Sequence, residues 1–266
     1  MFDSADADAR AAYPAEVRPA LFQYVLQLAD TSLILGHRLS EWCGHGPVLE
    51  QDLAMANIAL DLLGEARSYY QYAAELEGQG RTEDDLAYLR PAVEYRNPLL
   101  VEQPNGDFAA TIVRQFLFDN FHHPFLRQLQ RSPDKRLAAI AEKSVKEAAY
   151  HLKWSSEWLI RLGDGTPESR RRLDKALAAL WRYAAELTTS TAPEKALQAA
   201  GLIPDYAALQ PAMAAHLARV LEDATLPQPT GTFGMKGGKE GRHSEHLGYI
   251  LTELQYMQRA YPGLTW

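Results

Sequence analysis

Apolar residues recur along the chain at helical spacing, and strand-type alternation is nearly absent. The first stripe, Leu21, Val25, Leu28, Ser32, Leu35, Leu39 and Trp42, predicts a helix over about 19–43 that stops at Gly44. A second helix is predicted over about 49–77, ended by Gly78. The third follows a Pro-Asn-Gly-Asp turn at 104–107 and carries Phe108, Ile112, Phe116 and Leu126, with a kink expected at Pro124. The fourth opens at Ser132-Pro133-Asp134, read as a cap followed by proline at the first helical position. Its stripe is Leu137, Ile140, Ser144, Ala148, His151, Ser155 and Leu162, and Gly163 stops it. A fifth helix starts at Thr166-Pro167-Glu168, shorter ones lie near 193–200 and 209–224, and the last covers about 242–260.

The connections decide the fold class. Helices 1 and 2, and helices 3 and 4, are joined so tightly that each pair forms an antiparallel hairpin. Between the hairpins lies the segment 78–107, too long for a neighbour loop, with a capped turn at Thr82. Two hairpins joined by a long crossover predict an all-α, ferritin-like four-helix bundle. The chain is expected to be one domain, with the core bundle at about 19–162 and the C-terminal helices, at about 166–260, packed outside it.

Composition narrows the chemistry. The 266 residues carry 34 acids against 27 bases, a net charge of −7, and no basic tract, which argues against nucleic acid as a partner. A single cysteine, Cys43, excludes an internal disulfide and any cysteine cage within one chain. The stretch 1–8 is acidic and lacks a signal-peptide core, and no apolar run approaches the ~18 residues of a membrane helix. A cytoplasmic protein without a membrane anchor is expected.

Bundles of this class hold two irons between a carboxylate on each of two helices and Glu-x-x-His on each of the other two. Distance from the turns places Asp30, Asp61, Asp119 and Glu147 at about one height, one per helix. The histidines do not follow: Gly64 stands three after Asp61, and Tyr150 three after Glu147. His151 is one residue late, which rotates it by about 100°. His122 does lie three after Asp119, but on a helix expected to give only a carboxylate. These six positions, Asp30, Asp61, Gly64, Asp119, Glu147 and Tyr150, read as a vestigial di-iron frame, with no metal, cofactor or catalytic residue expected in this chain. Four buried carboxylates must then be protonated, paired or partly exposed. His37, Lys143 and His151 are the nearby candidates for pairing.

A glycine-rich stretch, 230–242, has five glycines among residues 231–241 and feeds the last helix. It matches neither a Walker loop nor the dinucleotide fingerprint. Its cations, Lys236, Lys239 and Arg242, could cradle an anion, or the loop could dock a partner. His243 and His246, with Glu245 between them, form a weak metal-pair pattern, and a plain surface loop is the simpler reading.

Several long strings resemble one family: 33–45 (LILGHRLSEWCGH), 57–64 (NIALDLLG), Asn97 with 99–108 (LLVEQPNGDF), 114–119 (RQFLFD), Tyr150-His151, 155–158 (SSEW), 160–166 (IRLGDGT) and 238–266. In order and over nearly the whole chain, they are similar to the C-subunit family of phenylacetyl-CoA epoxidase (phenylacetate-CoA oxygenase). That resemblance implies a ferritin-like, non-catalytic subunit in phenylacetate catabolism, with Lys236, Lys239 and Arg242 meeting acidic residues of the catalytic subunit or, as the lesser expectation, the phosphates of CoA. It implies three partners: a related catalytic subunit holding the di-iron centre, a further small subunit, and a reductase with FAD and iron–sulfur. Two alternatives remain beside it. One is an independent ferritin-like di-iron oxygenase, the other a stand-alone ferritin-like binding or storage bundle.

Overall fold

A computed structural model describes residues 13–14, 16–230 and 234–264. The acidic stretch 1–8 and the glycine-rich residues 231–233 lie outside the described residues. Among the described residues there are ten α-helices and no strand. They are α1 (Arg18–Ser40), α2 (Leu49–Glu77), α3 (Glu83–Tyr88), α4 (Leu99–Glu102) and α5 (Phe108–Leu129). After these come α6 (Lys135–Gly163), α7 (Pro167–Leu187), α8 (Ala192–Ala199), α9 (Gln210–Asp223) and α10 (Glu245–Ala260). No described helix is long and apolar enough to cross a membrane.

Local chemistry sets the helix ends. Gly78 ends α2 in the left-handed conformation at φ 62°, its N–H reaching the Ala74 carbonyl at 2.9 Å. Thr82 and Asp85 cap α3 reciprocally, and Thr166 caps α7 ahead of Pro167. The start of α6 differs from the expected one. Asp134 is its cap, accepting from the N–H groups of Arg136 and Leu137, and so Pro133 precedes the cap. Ser132 instead donates to the Leu202 carbonyl at 2.6 Å, tying the turn to the C-terminal segment. Helix α5 continues through Pro124.

Helices α1 and α2 pack along each other, as do α5 and α6, and α2 lies against α6. The remaining helices cover the outside of these hairpins. α7 lies on α5 and α6, α8 on α1, α9 on α5 and α6, and α10 over α3 and α4. One hydrophobic cluster runs through all of them, from Leu21 and Ile34 in α1 to Leu247 and Leu251 in α10.

Candidate functional site in the polar interior

The apolar stripe of each hairpin helix is interrupted by polar residues, and these meet inside. Ser32 of α1 donates to Glu65 of α2 at 3.1 Å, and His122 of α5 donates to the same carboxylate oxygen at 3.0 Å. Both members of the His122–Glu65 pair are buried. Burial alone would disfavour both charges. The short contact outweighs it, holding Glu65 below the usual carboxylate range and raising His122. Asp119, one turn before His122, accepts from Gln115 and from Ser155 of α6, each at 2.8 Å. Burial dominates there and pushes its carboxyl up to about 6, against the opposing pull of His151, Ser155, His122 and Gln115. His151 of α6 donates to Asp61 of α2 at 3.0 Å. Glu147 is half-buried, and burial together with the Asp61 carboxylate raises it.

Of the six positions in the sequence-derived frame, the structure brings together Asp61, Asp119 and Glu147 and turns three away. Asp30 is fully buried, but it faces the crossover rather than the other carboxylates. It pairs with the Arg90 guanidinium and accepts from the Tyr70 hydroxyl at 2.6 Å and from the Arg96 N–H at 2.8 Å. His37, a candidate for that role, leaves its Nε2 without a partner among the described residues, and burial lowers its imidazole. Gly64 faces open space where a Cβ would stand, and Tyr150 is 51% exposed. Neither position points where a ligand would sit. The imidazoles that do point inward are His122 and His151.

Glu65 was missed by the height argument, although it lies four residues after Asp61 on the same face. Ser32, Ser144, His151 and Ser155 all stand on the apolar stripes read from the sequence. Those stripes located the interior more accurately than distance from the turns, because distance fixes height and not the direction a side chain takes around the helix.

This donor set does not fit two irons. Glu65, Asp61 and Asp119 each already have an internal partner, and both imidazoles give Nε2 to a carboxylate. Their Nδ1 atoms have no partner among the described residues. The cavity beside Glu65 and His122 is only about 20 Å³, room for one water. Among the described residues no group of three or more His, Cys, Asp or Glu is gathered to hold a metal.

The glycine-rich segment is docked against the protein. A Cβ on Gly238 would stand 2.4 Å from the Asn97 carbonyl oxygen, so only glycine lets the chain approach the crossover this closely. Lys239 is 6% exposed, and its ammonium is taken up within the chain. It donates to Glu194 at 3.0 Å and to the carbonyls of Thr189 and Leu187. The acidic contact expected for Lys239 is therefore an internal one, and this side chain is not offered to a partner or to CoA. Lys236 and Arg242 remain exposed, Arg242 paired with Glu240. His243 contacts Glu102 at 2.8 Å and the Tyr95 carbonyl at 3.0 Å, which occupies both ring nitrogens.

Comparison with known proteins places this arrangement. The profile of the family described as "Phenylacetic acid catabolic protein" matches residues 4–266. The chain belongs to that family. A relative from Escherichia coli (strain K12), named as the C subunit of 1,2-phenylacetyl-CoA epoxidase, is 48% identical over 246 residues, covering 92% of this chain and 99% of the relative. For a phenylacetic acid catabolic protein, the exposed side of α2 is as notable as its buried side. Leu49, Leu53 and Leu60 are 71%, 55% and 65% exposed on that helix. Leu60 and Tyr150 each neighbour a member of the Asp61–His151 pair, so α2 and α6 carry these apolar side chains beside one seam.

Proposed function

We propose that this chain is the C-type component of a phenylacetyl-CoA epoxidase in phenylacetate catabolism. In this reading it is a ferritin-like, non-catalytic partner of a related catalytic subunit that holds the di-iron centre. A further small subunit, together with a reductase carrying FAD and iron–sulfur, completes a cytoplasmic assembly. One domain suffices for the role, with the bundle core at 19–162 and the helices of 166–260 outside it.

The observation that carries the reading lies on α2, whose exposed side bears a group of leucines. Its inward Glu65 is held by His122 and Ser32, while its outward leucines face solvent. Exposed large apolar side chains grouped on one face mark protein interaction sites. The E. coli relative is named as one subunit of an epoxidase, which supports an assembly partner for that face.

Reconstitution with purified components tests this. The chain with reductase, but without the catalytic partner, is expected to give no epoxide from phenylacetyl-CoA, and adding that partner restores turnover. Epoxide formation by the chain and reductase alone overturns the proposal.

A further inference from the structure

A second feature lies away from the α2 face. Between α7 and the segment leading into α5 is a cleft of about 460 Å³, within the range of small-molecule sites. Its floor is apolar, formed by Ala110, Ala176, Ala179 and Leu180. Its rim carries Arg172, Lys175, Arg182 and His246. The carboxylate in the cleft, Asp107, is already engaged: one oxygen caps Ala110 at 2.9 Å and the other meets Arg172 at 3.5 Å. Arg172 is also held by Glu168 at 2.8 Å.

Lys175 and Arg182 differ. Both are exposed, and neither has a carboxylate partner among the described residues. Seven residues apart, they stand about 10 Å from each other along one side of α7. The Met235 N–H donates to the Arg182 carbonyl at 2.8 Å, which docks the glycine-rich segment on this part of α7. On a chain of net charge −7, these cations form a local positive face.

We infer that this cleft binds a nucleotide-type organophosphate, with phosphoryl oxygens on Lys175 and Arg182 and the ring over the apolar floor. Lysine and arginine both recognise phosphoryl oxygens through charge-assisted hydrogen bonds. A bare phosphate would satisfy the cations but leave the floor wet, whereas a ring covers it. The same chemistry has two sources, a free nucleotide or the adenosine diphosphate end of a CoA ester. Only the second source rests on the epoxidase reading.

Calorimetric titration of the full chain with ADP, CoA and inorganic pyrophosphate tests the inference. ADP and CoA are expected to bind saturably, one per chain, with pyrophosphate about tenfold weaker. Lys175→Glu with Arg182→Glu should weaken ADP binding by at least about tenfold, the loss of one charge-assisted hydrogen bond or more. Lys175→Gln and Arg182→Gln singly should give intermediate losses at an unchanged Tm. Lys146→Glu, on the exposed side of α6, should change nothing. Tighter binding of CoA than of ADP assigns the site to the ester, and equal binding to free nucleotide. Absence of saturable binding at millimolar ligand, pyrophosphate binding equal to ADP, or full affinity in the double variant each overturns the inference. ADP binding is read on the isolated chain, so its failure is distinct from any failure of turnover in the reconstituted epoxidase.

Discussion

The buried face of α2 is apolar but for one carboxylate, and its exposed face bears a group of leucines. Toward the interior it places Glu65, buried and bonded to His122 and Ser32. Toward solvent it places Leu49, Leu53 and Leu60. The interior cost is met locally, by an imidazole and a hydroxyl, so the inner face needs nothing from outside the chain. The outer face has no covering among the described residues. The contrast separates a buried polar centre that is satisfied within the chain from an apolar surface that is not.

The largest expected effects come from breaking buried pairs. Glu65→Leu leaves His122 without its carboxylate and should cost about 3–5 kcal/mol by denaturant titration. Glu65→Leu with His122→Leu should recover most of that loss, because an apolar pair replaces an ionic one. If the double variant is as unstable as the single one, the interior is more than a satisfied pair.

The same size of effect separates two neighbouring lysines. Lys239→Ala uncovers Glu194, which is buried, and should cost about 3–5 kcal/mol. Lys236→Ala is expected to stay within about 0.5 kcal/mol, since its side chain is exposed. Equal effects at the two positions would contradict the docked geometry of this segment.

A somewhat smaller effect is expected in the pH dependence of the interior. The Asp119 carboxyl is raised to about 6 by burial, so folding favours its protonated form. Stability from this group is therefore full below its unfolded value near 4 and falls as pH rises through about 6. The span is about 3 kcal/mol for this fully buried group. Asp119→Asn should flatten the stability profile between about pH 4 and 6 and raise Tm at neutral pH. His122, raised by Glu65, contributes in the same sense at higher pH, its stabilisation lost above its folded value. A profile unchanged by Asp119→Asn would remove Asp119 as its source.

Much of this was legible in the sequence. Breakers and caps placed the helices, because glycine at a left-handed position and Thr or Asp side chains on free N–H groups are local chemistry. Gly78, Thr82 and Thr166 act where the sequence puts them. The hydrophobic stripes also passed through Ser32, His151 and Ser155, which do face inward. Partner choice was not legible. Asp30 is taken by Arg90, 60 residues away, across a crossover whose path no periodicity encodes. Lys239 reaches Glu194 through a segment whose glycines resembled a flexible loop, until their close approach to the crossover gave them a packing role. Long-range pairing depends on how irregular segments fold back, and spacing along a helix carries no information about that.

In the proposed epoxidase assembly, the exterior of α2 and α6 serves association while the interior serves stability. The most direct measurement is the affinity of the Leu53→Glu with Leu60→Glu variant for the catalytic partner of the epoxidase, alongside its Tm. Both leucines are exposed, so Tm should stay within the small range typical of surface changes. Association should weaken by at least about tenfold, as for loss of apolar anchors at an interface. An unchanged affinity for that partner, with the variant folded, would contradict the account.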